Sequence, residues 1–512
     1  MRNLLPIITR RRLSHVCTLK PYKETRWLMP NGNPTGLYVY NCVAEEKVPI
    51  ILNDPHIATW YSCGPTVYDS AHLGHASCYV KLDIIQRILK SFFNVKLVTA
   101  MGVTDIDDKI IRKGINTQTD YKTIAQQFEH EFWLDMASLN IEKPLIICRV
   151  SDHISSIETF VKHLIDSGTA YATKDGSVYF DTSKFPSYGK LLKTQESDEP
   201  KSQYKRNSMD FAVWKGHKPD EPYWETSWGK GRPGWHIECS AMVSKVFGSQ
   251  LDFHAGGIDL RFPHHENEEA QSCAFHKTRQ WANYWIHVGH LHVKGDVKMS
   301  KSLKNTISIP TLLESYSADT FRMACLMSNY RYPMEFNEQV MKMAEEVLNK
   351  FKFFLKDALM YVNNNATQNG DYKDKLLDNL QKVEDSNLEA LRSDFDTADC
   401  INTLVGLISS TNKIIKSNTT EYYPVPVILI AEYIISVLNR FGLTLKDGTQ
   451  QNDVSNILID MLVDFRHTVR LNALNNKNKE LLNACDIVRD KMKSMKVQIN
   501  DSSKTASWVF TK

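Results

Sequence analysis

Two histidines stand three residues apart in His72-Leu-Gly74-His75, immediately before a stretch whose apolar residues recur at helical spacing. In the first turn of a helix, the unbonded backbone N–H groups and the helix dipole attract phosphate, and two imidazoles on one side would strengthen that attraction. Gly74 would let a nucleotide approach the backbone closely. The spacing therefore predicts ATP binding at His72, Gly74 and His75, although so short a match also arises by chance.

A second candidate is the polar run Lys298-Met-Ser-Lys301-Ser302, far downstream. A lysine is a compact cation on a flexible side chain, so it can follow the negative charge of a triphosphate through a transition state. A loop of Lys and Ser has no specific meaning by itself. In one chain with His72 and His75, it indicates an enzyme that activates a carboxylate with ATP, with both lysines and both histidines in catalytic roles.

A third set of side chains could hold a metal, and its members are two thiols, two imidazoles and two carboxylates: Cys63, Cys239, His264, His265, Glu268 and Glu269. His264 and Glu268 are spaced i, i+4 and would share one helix face, as ligands of one ion must. His265 and Glu269 have the same spacing, so spacing does not choose between the pairs. Two thiolates with one imidazole and one carboxylate would favour zinc.

These residues need a scaffold, and the chain around the first histidine predicts one. Residues 58–62 form a short apolar and aromatic run typical of a buried strand, residues 80–92 carry a helical stripe, and residues 94–99 predict the next strand. Strand, helix and strand make a βαβ unit, so we expect a parallel sheet with its ligands at the carboxyl ends of the strands. The loop from Cys63 to His75 falls at that place.

The rest of the chain changes character twice. Residues 105–140 predict helix with a break near Gly114, residues 141–230 contain short strands and a polar loop at 193–207, and residues 285–293 predict a late strand of the sheet. From residue 310 onward nearly every segment predicts helix. The expected fold is therefore α/β: a Rossmann-like parallel-sheet catalytic domain with an inserted connective domain, followed by a C-terminal α-helical bundle.

Composition narrows the class of protein. A chain of 512 residues exceeds one core, and 42% hydrophobic with 24% charged residues is ordinary for a globular protein. No apolar run approaches the ~20 residues of a membrane span, so we expect no membrane association. Ten scattered cysteines do not form a secreted disulfide framework.

The first 23 residues contain six Arg or Lys and no acidic residue, the charge bias of a mitochondrial presequence. Taking these six positive charges from the formal net charge of +3 leaves −3, so the net basicity comes from the leader. We expect the mitochondrial matrix as the location. A basic arm that binds RNA directly is the alternative.

Six segments, in order along the chain, resemble the motifs of the cysteinyl-tRNA synthetases, which are class I aminoacyl-tRNA synthetases: Cys63-Gly-Pro-Thr-Val-Tyr-Asp69, His72 to His75, Gly102-Val-Thr104-Asp-Ile-Asp-Asp-Lys109, Gly234-Trp-His-Ile-Glu-Cys-Ser-Ala-Met242, Phe262-Pro-His-His-Glu-Asn-Glu268 and Lys298 to Ser302. The likeness covers about residues 35 to 510 and includes 393–398 and 484–508 in the tail. With the leader, it points to the mitochondrial form. Lys304 departs from the family, which commonly has Gly there.

The resemblance implies roles for particular residues. One Zn²⁺ per chain would be held by Cys63, Cys239, His264 and Glu268. Substrate would be contacted at Gly64, Thr104 and Trp235. ATP, with Mg²⁺, would lie on His72, Gly74, His75, Lys298 and Lys301.

The implied reaction joins L-cysteine to tRNA(Cys) through a cysteinyl-adenylate. A pocket that senses only size would separate cysteine from serine by roughly 1 to 3 kcal/mol, which is too little for translation. Zinc would discriminate by softness, because a serine hydroxyl stays protonated and binds it poorly. No segment calls for an editing domain, and a monomer is favoured.

The implied domains begin with a presequence (1–23) and a sheet domain in two halves (24–140 and 231–295), which are separated by the connective insertion (141–230). A signature-loop and stem-contact region (296–336), a helical tRNA-binding bundle (337–450) and a small anticodon-side region (451–512) follow. Residues 461–512 contain ten Lys or Arg against five Asp or Glu, which suits RNA phosphates or simply a solvated surface.

Three alternatives stay open. The chain could join cysteine to a small amine, it could have a persulfide-forming side activity, or it could be a non-catalytic RNA-binding scaffold. The long helical tail argues against the ligase that uses a small amine. The intact set of histidines, lysines and possible metal ligands argues against the non-catalytic scaffold.

Overall fold

The computed structural model describes residues 27–192, 203–293, 306–363, 373–417, 422–445, 453–502 and 506–511. Four predictions fall wholly or mainly outside these ranges: the presequence 1–23, the polar loop 193–207, the segment with Lys298 and Lys301, and the departure at Lys304.

Within the described ranges the strands are β1 (Asn33–Asn41), β2 (Glu46–Leu52), β3 (Ile57–Thr66), β4 (Lys96–Thr104), β5 (Ile146–Arg149), β6 (Ala170–Ala172), β7 (Val178–Phe180), β8 (Phe211–Gly216), β9 (Trp224–Thr226), β10 (Gly229–Pro233), β11 (Leu251–Gly257), β12 (Ala282–Val288), β13 (Leu291–Val293), β14 (Met334–Phe336), β15 (Val497–Asp501) and β16 (Ala506–Phe510). The helices are α1 (Leu73–Ser91), α2 (Asp108–Thr117), α3 (Tyr121–Ser138), α4 (Ile154–Asp166), α5 (Trp235–Phe247), α6 (Glu266–His276), α7 (Ile309–Ser315), α8 (Ala318–Leu326), α9 (Glu338–Asn363), α10 (Lys373–Arg392), α11 (Thr397–Ser417), α12 (Pro424–Arg440), α13 (Asp453–Asn475) and α14 (Lys479–Ser494).

The predicted parallel sheet is confirmed. Its five strands run in the order β12-β11-β3-β4-β5, and every neighbouring pair is parallel. The chain builds outward from β3 to β4 and β5, then returns on the other side of β3 with β11 and β12. The strand order therefore reverses between β3 and β11, and ligands of such sheets bind at the carboxyl ends of the strands where this reversal occurs.

Strand β3 is longer than predicted. It continues to Thr66, with an irregular register against β4 between Cys63 and Thr66. Cys63 is therefore a strand residue, and the prediction that it begins a loop is wrong. The apolar run ends at Ser62, but the parallel pairing with β4 extends the strand beyond it. An extended backbone fixes Cys63 more firmly than a loop would.

Two other boundaries differ from the prediction. The helical stretch after β4 breaks at Gln118 and Asp120, where a left-handed C-cap meets the next N-cap, rather than at Gly114. The predicted strand 285–293 is two strands, because β12 stays in the large sheet while β13 pairs with β14.

The insertion forms its own antiparallel sheet in the order β6-β7-β8-β10-β9. Buried Arg232 of β10 ties it to the catalytic sheet through an ion pair with Asp108 of α2, and its Nε also lies 3.0 Å from Oε2 of Glu221. Lys215 of β8 adds a second contact to Asp108, at 2.6 Å. The insertion is thus held next to the loop that follows β4.

The C-terminal region is mainly helical, and one hydrophobic core continues from the parallel sheet into α8 to α12. Arg322 of α8 binds three elements at this junction, with Nη1 2.5 Å from Asp83 Oδ2 in α1 and bonds to the carbonyls of Asn140 and Phe441. The prediction of helix almost throughout is wrong at the end of the chain, where β15 and β16 form an antiparallel hairpin. Among the described residues, no helix is both long and apolar enough to cross a membrane.

Candidate metal centre and nucleotide-binding helix

Cys63 lies near the carboxyl end of β3, at the reversal of strand order. Alternation along the strand puts it on the same face as Tyr61, and that face packs against α5. The Cys63 sulfur lies 3.9 Å from the sulfur of Cys239 in α5, and both side chains are buried. Two thiols from distant parts of the sequence are therefore brought together.

The turn before α6 and the first turn of that helix complete the cluster. Nε2 of His264 lies 3.1 Å from Oε1 of Glu268, which in turn lies 3.6 Å from the Cys63 sulfur. One ligand atom from each of Cys63, Cys239, His264 and Glu268 lies within 4.8 Å of the others. These four residues could hold a metal ion.

A second, overlapping donor set shares two of these residues. His265 Nε2 lies 3.4 Å from the Cys63 sulfur, and His254 Nε2 lies 2.9 Å from Oε2 of Glu268. The atoms of Cys63, His254, His265 and Glu268 also lie within 4.8 Å of one another. Geometry alone therefore offers two positions for a cation, with Cys63 and Glu268 common to both.

Glu269 has a different role from Glu268. Its Oε1 lies 2.5 Å from Nζ of Lys190, and both side chains are almost fully buried. It also accepts backbone hydrogen bonds from Trp281 and Ala282. His265 and Glu269 have the same spacing as His264 and Glu268 but do not act together. His265 lies in the metal cluster, whereas Glu269 pairs with Lys190.

Burial sets the charge state of the donors. Burial raises the pKa of the Cys63 thiol well above its usual range. The hydrogen bond with Cys63 lowers the pKa of Cys239, but burial and the Glu268 charge outweigh it and the net shift is upward. Burial lowers the pKa of His264 and His265 well below the usual range, so both imidazoles are neutral and each keeps a lone pair. A bound cation would favour the thiolates.

Three further histidines surround the cluster. Nδ1 of His264 lies 3.0 Å from Nδ1 of His236, and Nδ1 of His265 lies 2.9 Å from Nε2 of His287. Such outer contacts fix the tautomer and ring orientation of a ligand. Sequence reasoning missed His236, His254 and His287; only His236, three residues before Cys239, had a signal in the sequence.

Trp235 is the first residue of α5 and is 38% exposed, and its ring stacks on His264 with centroids 4.4 Å apart. It therefore forms one wall of the metal cluster. Thr104 ends β4, and its hydroxyl donates to Glu238 Oε2 at 3.3 Å. Burial raises the pKa of Glu238 well above its usual range, which favours the protonated form of this carboxyl.

Gly64 follows Cys63 on β3 and lies against Gly102 of β4. A Cβ at this position would lie 1.9 Å from the carbonyl oxygen of Gly102. Any side chain at residue 64 would push the strands apart and move Cys63.

His72 and His75 lie at the start of α1. The Gly74 N–H donates to Nδ1 of His72 at 3.1 Å, and the His72 N–H donates to Nδ1 of His75 at 3.2 Å. Their rings stack with centroids 4.1 Å apart. Because each Nδ1 accepts a hydrogen bond, the neutral rings carry their proton on Nε2. Lys298 and Lys301 lie outside the described residues, but the chain after them is anchored here, since Leu73 N–H donates to the carbonyl of Ile307 at 3.0 Å.

A family model described as the catalytic domain of the class I (C) tRNA synthetases matches residues 51–346. A probable mitochondrial cysteine–tRNA ligase of Xenopus tropicalis is 40% identical, over 94% of this chain and 91% of the relative. A cytoplasmic cysteine–tRNA ligase of Dictyostelium discoideum is 37% identical, over 96% of this chain and 80% of the relative. A cysteine–tRNA ligase of Methanococcus aeolicus is 37% identical, over 92% and 99%.

Two solved structures share the fold. A methionyl-tRNA synthetase of Mycobacterium tuberculosis bound by methionyl-adenylate has a TM-score of 0.55 at 13% identity and covers 76% of this chain and 88% of its own. A LeuRS–tRNA–LeuAMS complex from Agrobacterium radiobacter has a TM-score of 0.57 at 9% identity and covers 78% and 86%. At such identities the likeness concerns the fold alone.

Proposed function

Because this chain belongs to the cysteine–tRNA ligases of class I, we propose that Cys63, Cys239, His264 and Glu268 hold one zinc ion that selects L-cysteine for transfer to tRNA(Cys) in mitochondria. The observation that carries the proposal is the meeting of these four buried donors at the strand reversal.

The distances between donors support a tetrahedral site. Zinc bonds of about 2.3 Å to sulfur and about 2.0 to 2.1 Å to nitrogen and oxygen would separate two sulfurs by about 3.8 Å, sulfur and oxygen by about 3.6 Å, and nitrogen and oxygen by about 3.3 Å. The corresponding distances here are 3.9 Å, 3.6 Å and 3.1 Å. The overlapping set with His254 and His265 has one thiol instead of two, so it suits a soft cation less well.

When bound, zinc supplies a soft Lewis acid that takes the thiolate of cysteine and binds the protonated hydroxyl of serine poorly. The chain's own residues shape the space around it. Trp235, stacked on His264, would exclude water from one side, and Gly64 would let β3 and β4 stay close enough to hold Cys63 in place while its backbone contacts the amino acid. Thr104 and Glu238, whose pKa burial raises, would add polar groups beside the amino acid.

His72 and His75 would act on ATP with Mg²⁺. Both rings carry the proton on Nε2, and they stand at the positive end of the α1 dipole, so they would donate to phosphate oxygens as pyrophosphate leaves. The cysteine carboxylate would attack the α-phosphate and release pyrophosphate, and a hydroxyl of the terminal ribose of tRNA would then attack the adenylate carbonyl and release AMP. Positioning and charge stabilisation carry such a reaction, and no covalent enzyme nucleophile is needed.

Lys298 and Lys301 are proposed as further cations for the phosphates. Ile307, which is bonded to Leu73, follows Lys301 by six residues, and six extended residues span at most about 20 Å. This short connection supports the proposal that Lys301 acts on the same phosphates. A mitochondrial location is supported by the basic leader and by the name of the Xenopus relative, and the matrix is the compartment proposed within it.

Cysteine-dependent exchange of pyrophosphate into ATP tests the proposal. Zinc-loaded protein should exchange with cysteine and far more slowly with serine. Removing zinc should abolish the preference for cysteine. Exchange that is equally fast with both amino acids would overturn the assigned role of the metal. Formation of a cysteine–amine product in place of charged tRNA would favour the small-molecule ligase instead.

A further inference from the structure

Tyr61 lies two residues before Cys63 on β3 and points to the same face of the sheet. Its side chain is fully buried, and its hydroxyl has no well-formed hydrogen bond to any described residue. Buried polar groups in native proteins are normally bonded, so a buried hydroxyl of this kind needs an explanation. The proposed metal ligand Cys63 lies only two residues further along the strand.

A slot in the neighbouring strand holds this hydroxyl. A Cβ at Gly102 of β4 would lie 2.1 Å from the Tyr61 hydroxyl oxygen, so only glycine leaves room for it. Met242 of α5, three residues after Cys239, approaches the same point, because its Cε would lie 3.1 Å from that Cβ. Burial and a side-chain interaction with Cys239 both raise the pKa of Tyr61. The hydroxyl therefore lies beside the Cys239 sulfur, which is a thiol in the described protein and would be a thiolate with a cation bound.

The negative charge of a metal-loaded site would need hydrogen-bond donors, and this hydroxyl could be one of them. Two thiolates and one carboxylate around a divalent cation leave a net charge of −1, and a substrate thiolate would make it −2 in a buried place. Buried negative charge is costly unless hydrogen-bond donors face it. Nε2 of His254 lies 2.9 Å from Glu268 and can donate a hydrogen bond to that carboxylate. This bond does nothing for the negative charge on Cys239.

We propose that the Tyr61 hydroxyl donates a hydrogen bond to the Cys239 thiolate and thereby helps the centre accept the thiolate of the substrate. The inference rests on the proposed zinc function and adds a positioning residue to it. Tyr61 acts through Cys239 and does not touch the reacting carboxylate or phosphate. Its loss should weaken cysteine binding more than it slows adenylate formation.

Tyr79 provides a matched control. It is also a buried tyrosine beside Cys63, but its hydroxyl donates to the backbone carbonyl of Cys63 at 3.2 Å and not to a sulfur. Tyr61→Phe and Tyr79→Phe each remove one oxygen from the same neighbourhood. Only Tyr61→Phe should change the energy of the lone pairs on a metal-bound sulfur.

The test replaces zinc by Co²⁺ in the full-length protein and records the sulfur-to-cobalt charge-transfer absorption. A hydrogen bond to a thiolate stabilises its lone pairs, so Tyr61→Phe should move this band to longer wavelength, while Tyr79→Phe should leave it in place. With zinc, Tyr61→Phe should raise the KM for cysteine roughly 10- to 100-fold at little changed kcat, as expected for one lost charge-assisted bond.

The outcomes separate this inference from the zinc assignment. If the unaltered protein binds Co²⁺ without a sulfur charge-transfer band, the proposed metal site is wrong. If the band is present but does not move in Tyr61→Phe, or moves equally in Tyr79→Phe, the role of Tyr61 is wrong and the metal site stands. Should Tyr61→Phe fail to fold, 3,5-difluorotyrosine at position 61 is a stronger donor, so it should move the band to shorter wavelength; an unmoved band would overturn the inference.

Discussion

Nε2 of His264 lies 3.1 Å from Oε1 of Glu268, although the two residues belong to a turn and to the helix that follows it. Their i, i+4 spacing makes the contact possible, and the sheet brings Cys63 and Cys239 to the same point. The adjacent pair His265 and Glu269 has the same spacing but separate partners, His287 and Lys190. This difference between neighbouring residues underlies the first two predictions.

His264→Ala should lose zinc, because it removes a proposed ligand. His265→Ala is the matched control, since it removes an equally buried imidazole that lies outside the favoured set. We expect the control to weaken zinc by no more than the roughly 10- to 100-fold typical of outer contacts, and His264→Ala to weaken it further. Competition with a coloured chelator measures both affinities. A larger loss in His265→Ala would place the ion in the overlapping set.

Glu269→Gln should destabilise the fold without changing zinc content. It leaves the ammonium of Lys190 buried and unpaired, and breaking a buried pair in this way costs about 3 to 5 kcal/mol. Urea unfolding gives the free energy of unfolding, and elemental analysis gives the zinc content. The control is Glu225→Gln, which breaks a surface pair with Lys230 and should leave stability unchanged. Loss of zinc from Glu269→Gln would contradict the separation of the two carboxylates.

Asp108 should make the fold sensitive to acid. Burial alone would raise the pKa of Asp108, but Lys215 and Arg232 outweigh it and lower the pKa to about 2. The pKa of an aspartate in an unfolded chain is about 3.9. The folded state therefore gains stability above that value and loses it as the pH falls from about 5 toward 2.

Asp108→Asn tests this pH dependence. The variant should lose stability less steeply than the unaltered protein between about pH 5 and pH 3, although it is less stable at pH 7. Exposed Asp220→Asn should keep the original slope. Thermal unfolding over this pH range measures the effect. Parallel profiles for Asp108→Asn and the unaltered protein would show that the ion pair with Arg232 does not govern acid stability.

Lys301→Ala should lower the rate of adenylate formation much more than the affinity for cysteine, because its charge is needed as the phosphates rearrange. Lys304→Ala serves as the control, since it removes another cation three residues away. Pre-steady-state adenylate formation at varied cysteine concentration separates the two quantities. Equal losses of rate and affinity in Lys301→Ala would contradict a role specific to the transition state.

Local pattern predicts much of this molecule. The strand, helix and strand around His72 follow from apolar periodicity, and the i, i+4 spacing finds His264 with Glu268. The resemblance chooses that pair over His265 with Glu269. The structure adds that Glu269 has a different buried partner, Lys190. The spacing carries no trace of Lys190, because that residue comes from the insertion.

Long-range contacts explain what the sequence does not predict. His254 and His287 come from β11 and β12, and they meet the cluster only because β11 returns beside β3. Cys63 is held in a strand because β4 pairs beyond the apolar run. In the hairpin, burial alternates along the first three residues of β15, whereas the first four residues of β16 are all buried. Each strand is only five residues long, so the pattern is weak beside the helices that precede it.

Charging of a tRNA(Cys) transcript with labelled cysteine, before and after zinc removal, tests the central claim most directly. The zinc-loaded protein should attach cysteine and leave serine unattached. Chelation should abolish charging, and added zinc should restore it in the unaltered protein but not in Cys239→Ser. Undiminished charging after complete removal of zinc, or full restoration in Cys239→Ser, would contradict the account.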